Sequence, residues 1–130
     1  YVAKPNELPS KGGSEAIAGD KGLYFINPLG TDKTKPRQVW TQGETEASSC
    51  WFPTIDRPNQ RMTQEISITV ENGFKTLSNG LLTASRRNAD GTRTDVWKQS
   101  LPAAPYLTML AAGNFAVVAD TWRGKPVEYY

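Results

Sequence analysis

Between Met62 and Val70 the chain alternates with a period of two: Ile66, Ile68 and Val70 fall on one side of an extended backbone, Glu65, Ser67 and Thr69 on the other. A helix would scatter those residues around its axis, so the segment reads as a half-buried strand. Turn formers punctuate the rest, with glycine at 11 positions and proline at 9. Gly22–Asn27 is a short run of β-formers stopped by Pro28, and Gln38–Thr41 resumes as extended chain. Phe74–Ser78 and Leu81–Ser85 flank Asn79-Gly80, which predicts a tight type I′ hairpin between them. Asn88–Gly91 reads as a second turn, leading into a strand over Thr94–Leu101. Tyr106–Leu110, Phe115–Trp122 and Val127–Tyr130 are the last expected strands, and Tyr1–Ala3 reads as one more. Lys4–Lys21 and Pro28–Arg37 are expected loops. Ala103–Ala112 imitates a helix, but Pro102, Pro105 and Gly113 bracket it too closely. The expectation is an all-β fold, a sandwich or saddle of mostly antiparallel strands, forming one domain over residues 1–130.

Composition removes whole classes of chemistry. The 130 residues include no histidine and one cysteine, Cys50. There is therefore no Ser-His-Asp triad, no Cys-His dyad and no His-Glu-x-x-His zinc helix. An internal disulfide and a Cys-x-x-Cys redox pair are equally excluded. Lysine and arginine total 15 against 13 acids, a net charge of +2 that gives no reason to expect a nucleic acid partner. The apolar stretches, such as Phe115–Ala119, are too short to cross a bilayer, so no transmembrane segment is expected.

Several local features invite a functional reading and have a plainer one. Asn88-Ala89-Asp90-Gly91 lacks the acidic first ligand and the closing glutamate of a calcium loop, and is expected to be a turn. Arg86, Arg87 and Arg93 are expected to form a solvated face. Cys50 is expected to be a buried or half-buried apolar residue. Trp40, Trp51, Trp97 and Trp122 are expected to serve packing rather than a sugar platform. The segment that stands out is Thr41-Gln42-Gly43-Glu44-Thr45-Glu46. On an extended chain both carboxylates would face one side, about 6 to 7 Å apart. Spacing alone favours an exposed strand end where solvent screens the repulsion; the other reading is a site for a cation such as an ammonium group.

Thr41-Gln42-Gly43-Glu44, followed by Phe52-Pro53-Thr54-Ile55-Asp56-Arg57-Pro58, resembles the signature of the aminopeptidase N family of zinc metallopeptidases. There Thr-Gln-x-Glu or Thr-Gln-x-Gln precedes a Phe-Pro-x-x-Asp-x-Pro turn at this separation, within an N-terminal β domain. Pro105-Tyr106-Leu107 with Gly113-Asn114-Phe115 resembles the family's Pro-x-Tyr-Leu…Gly-x-Phe. The resemblance spans Trp40 to Phe115. It departs at Ser48-Ser49-Cys50, where many members carry an arginine pair, and at Pro105, which directly precedes the tyrosine.

The resemblance implies a partial domain, truncated at its N-terminal side and lacking the catalytic zinc domain. Glu44 would bind the free α-amino group of a peptide substrate, Gln42 would line the first side-chain pocket, and Gly43 would give the substrate room at the backbone. Asp56 and Pro58 would fix the following turn, and Glu46 would have no set role. No residue here would be catalytic or bind metal, and no cofactor would sit in this chain; zinc would belong to the full-length enzyme. The implied partners are the catalytic domain of the same polypeptide and the N-terminus of a peptide. Alone, the domain would be inert. The other reading is a stand-alone β-sandwich module that binds carbohydrate or protein.

Overall fold

A computed structural model describes residues 22–44 and 46–130. The strand expected at Tyr1–Ala3 and the loop over Lys4–Lys21 lie outside them. Nine strands follow in chain order: β1 Leu23–Ile26, β2 Gln38–Thr41, β3 Met62–Glu71, β4 Lys75–Ser78, β5 Leu81–Arg87, β6 Thr92–Ala103, β7 Leu110–Gly113, β8 Val118–Trp122 and β9 Lys125–Tyr129. They form three sheets, in the orders β1-β2-β7-β4, β3-β6-β5 and β8-β9. Every pairing among them is antiparallel. The nearly all-β, antiparallel expectation is therefore met.

The two larger sheets pack face to face. Ile68 and Trp97 from one meet Ala112 from the other, with Val39, Leu77, Leu110, Ile66 and Val70 around them. The alternation of β3 explains its half of this core: Ile68 is buried and Ile66 and Val70 half-buried, while Glu65, Ser67 and Thr69 are exposed. Burial of a side chain such as Ile68 contributes about 2 kcal/mol.

One end of that interface is polar. Asp95, 3% exposed, lies opposite Ile68 on β3 and Ser85 on β5. Its carboxylate accepts hydrogen bonds from Ser85 Oγ (2.6 Å), Thr76 Oγ1 (2.6 Å) and Arg93 Nε (2.9 Å). Trp97 Nε1 donates to Thr76 Oγ1 at 3.1 Å, which ties the indole into the same network. Arg93 also donates to the carbonyls of Asn72 (2.8 Å) and Phe74 (2.7 Å), closing the β3–β4 turn over it. Burial by itself would raise the Asp95 pKa, but the hydrogen bonds from Arg93, Ser85 and Thr76, with the charge of Arg93, hold it at about 2. Arg93 thus departs from the solvated face expected of it; Arg86 and Arg87 are exposed as expected.

Three other expectations need correction. Asn79-Gly80 does not close a hairpin, because β4 pairs with β7 in one sheet and β5 with β6 in the other. Gly80 has φ +85, and a Cβ there would collide with the Lys98 carbonyl, so glycine is needed. Asn79 is absent from the residues with positive φ, so the turn is not type I′. The pair is a corner between sheets. The type I′ requirement is met instead at Arg123 (φ 49) and Gly124 (φ 75), which join β8 to β9. Second, Tyr106 is not in a strand: Pro105–Leu107 form a 3-10 turn and extended pairing begins at Leu110. Third, Cys50 is exposed, at the end of the 3-10 turn Ser48–Cys50.

Asn88–Gly91 does join β5 to β6, and Asp90 Oδ1 accepts from Thr92 N (3.0 Å) and Thr92 Oγ1 (2.6 Å). That oxygen serves the turn, as the hairpin reading requires. The tryptophans divide: Trp97 is in the core, Trp40 stacks on Tyr24 (4.6 Å between centroids) and Trp51 meets Phe52 edge-on. Trp122 instead stands 59% exposed on β8, with the Arg123 guanidinium over its ring.

Candidate functional site

The segment singled out by the carboxylates is a turn. β2 stops at Thr41, where the side-chain hydroxyl accepts from Leu110 N (3.0 Å) and holds the strand end against β7. Gln42 N donates to Gly22 O at 3.0 Å. Beyond it, Ala47 N donates to Gly43 O (3.0 Å), bending the chain through almost one helical turn before Ser48–Cys50. The extended geometry expected for Glu44 and Glu46 is therefore replaced, and the two acids have different surroundings. Glu46 is paired with Arg57 (2.8 Å). Glu44 is exposed, and among the described residues its carboxylate makes no hydrogen bond or ion pair; only its backbone N–H is engaged, by Gln42 Oε1 at 3.3 Å.

Two contacts press this turn onto the 3-10 turn Pro105–Leu107. Gly43 is buried, and a Cβ there would collide with the Tyr106 carbonyl oxygen. Glycine permits that close backbone approach. Ser48, fully buried, donates its hydroxyl to Pro105 O at 2.9 Å. Asp56 caps the other side: its Oδ2 accepts from Ser49 N at 2.8 Å, which gives it the turn-fixing part expected from sequence. Two of the stretches that carry the family resemblance, 41–44 and 105–107, are thus in direct contact. Sequence reading identified both and did not foresee that they touch. Asn79, read only as a turn former, is a further support for the second stretch (3.0 Å to Leu107 O).

The described residues do not fit a zinc ion. The sequence has no histidine, and among the described residues no three of Cys, Asp and Glu stand together as a donor set. A groove of about 280 Å³ does open between the sheets, lined by Phe25, Val39, Val70, Phe74 and Ala112. Arg37 stands at its edge, with Nη2 and Nη1 on the Glu71 carboxylate at 2.8 and 3.2 Å. Its lining includes none of Gln42, Gly43 and Glu44. No helix among the described residues is long and apolar enough to cross a membrane.

The peptidase M1 N-terminal domain family matches over residues 18–107, well over half of the chain. The chain belongs to that family. Among curated relatives, this M1 N-terminal domain is 29% identical to leucine aminopeptidase 2 of Vanderwaltozyma polyspora over 109 residues, covering 84% of the chain and 16% of the relative. It is 26% identical to transcription initiation factor TFIID subunit 2 of Gallus gallus over 104 residues, covering 78% of the chain and 9% of that protein. The chain therefore spans less than one fifth of the length of these relatives. Among solved structures, the M1 zinc metallopeptidase from Deinococcus radiodurans shares the fold, with a TM-score of 0.61 at 20% identity over 67% of this chain and 20% of that one.

Proposed function

We propose that this M1 N-terminal domain is part of a zinc aminopeptidase and that Glu44 holds the free α-amine of the peptide substrate. The observation that carries the reading is the position of Glu44: an exposed acid, unpaired among the described residues, on a turn clamped against Pro105–Leu107. A peptide's α-ammonium is a compact cation, whereas an internal peptide nitrogen is neutral and carries chain beyond it. A carboxylate that accepts the ammonium fixes the first peptide bond at a set distance and leaves no path for a longer N-terminal extension. Gln42 braces the Glu44 backbone and lines the first side-chain pocket, and Gly43 keeps the backbone between them open to substrate.

Zinc, the water it activates and the remaining catalytic groups come from another part of the polypeptide, the catalytic domain, and this domain is inert alone. The full-length polypeptide, assayed with a peptide and its N-acetylated twin, is expected to cleave the acetylated form at least 100-fold less efficiently. Equal turnover of the two would contradict an amine site.

The TFIID subunit relative, by name one subunit of a larger assembly, favours a second reading, a protein-binding module rather than part of a peptidase. Under that reading the full-length polypeptide releases no amino acid from either peptide.

A further inference from the structure

Asn79-Gly80 predicts a tight hairpin, and that hairpin is absent. The corner it forms instead does something specific. Asn79 Nδ2 donates to Leu107 O at 3.0 Å, and Met109 N donates to Asn79 Oδ1 at 2.7 Å. One side-chain amide thus serves as both acceptor and donor for the backbone on either side of Thr108. Its neighbour Ser78 donates Oγ to Met109 O at 2.6 Å. The 3-10 turn closes just before this clasp, with Leu107 N on Ala104 O (3.0 Å) and Thr108 N on Pro105 O (2.9 Å). Its outer side then bears on the Glu44 turn at Gly43 and Ser48, while Thr41 bonds to Leu110 just past it.

We infer that Asn79 is a positioning residue for Glu44: it locks residues 107–109, and through Pro105 and Tyr106 sets where the 43–48 turn presents its acid. The functional half of this inference rests on the reading of Glu44 above; the mechanical half does not. An amide is the side chain this place requires, because the backbone offers one acceptor and one donor a residue apart. Aspartate keeps the acceptor for Met109 N and loses the donor for Leu107 O.

The mechanical half is tested in the full-length polypeptide by hydrogen exchange. In Asn79→Ala the Ala47 amide, bonded to Gly43 O, is expected to exchange about tenfold faster, with the β3 and β6 amides unchanged. Asn79→Asp is expected to fall between, and carries the measurement if the alanine variant fails to fold. Faster exchange confined to residues 107–109, or equal acceleration throughout the chain, would overturn the inference.

The functional half is tested in the full-length polypeptide. Asn79→Ala is expected to raise KM for a free-amine substrate about tenfold with kcat within twofold, and to change KM less than twofold when Glu44 is already alanine. The same tenfold factor in both backgrounds would overturn it. Unchanged kinetics for Glu44→Ala alone would instead overturn the amine-site reading and this functional half with it, leaving the exchange result to decide the mechanical link.

Discussion

In the full-length polypeptide, Glu44→Ala is expected to lower kcat/KM on amino-acid anilides about 100-fold or more, with metal content unchanged. The size follows from electrostatics. Opposite charges about 4 Å apart at an effective dielectric near 20 attract by about 4 kcal/mol, and desolvation of the ammonium returns part of that. A net of about 3 kcal/mol corresponds to roughly two orders of magnitude in rate. Glu46 supplies the contrast on the same turn. It shares an exposed ion pair with Arg57, both side chains being largely solvated, and such pairs contribute about 0–1 kcal/mol. Glu46→Ala is therefore expected to change kcat/KM less than twofold. Similar losses from both substitutions would show that general negative charge matters, not a placed carboxylate.

The largest effect on stability is expected at Asp95. Asp95→Asn removes the charge that faces Arg93 between the sheets, where the arginine side chain is 18% exposed and the carboxylate 4%. Breaking a buried pair from one side leaves the other charge without compensation, and costs about 3 kcal/mol. Urea unfolding should show a lower midpoint with an unchanged slope; a loss under about 1 kcal/mol would mean that water replaces the carboxylate freely.

The same group fixes a pH dependence. Its folded pKa of about 2 lies below its ordinary 3.8, so its contribution is complete above the unfolded value and is lost as pH falls from about 4 towards 2. The gap corresponds to about 2 kcal/mol. The acid-induced loss of stability over that window should shrink in Asp95→Asn.

How much of this could be read from the residues depended on the range of the physics involved. β2 was legible to the residue, and β3 nearly so, because period-two burial and a flanking loop are written locally. The corner at Asn79-Gly80 was half legible. Glycine at positive φ was announced by the pair, but which strand β4 would join depended on β7, more than thirty residues away. Arg93 departs from the solvated reading for a different reason: Arg93 and Asp95, two apart on β6, put opposite charges on one face, whereas Arg86 and Arg87 on β5 have no such acid beside them in sequence.

At the candidate site, the resemblance singled out Glu44, while the local geometry around it was hidden. Extended spacing put Glu44 and Glu46 on one face; the Gly43–Ala47 bond replaces that extended geometry, and Arg57 pairs with Glu46. Neither follows from the local sequence, because the first is a backbone bend and the second joins residues eleven apart. The burial of Gly43 against Tyr106 was equally out of reach, since two motifs some sixty residues apart meet only after the sheets form.

Crossing variant with substrate gives the sharpest trial of the amine site. The ratio of kcat/KM for a free-amine peptide to that for its acetylated twin would be measured in the parent polypeptide and in Glu44→Ala. If this acid receives the ammonium, the ratio collapses by about two orders of magnitude in the variant, because only the charged substrate loses a partner. A ratio that survives the substitution would place amine recognition elsewhere.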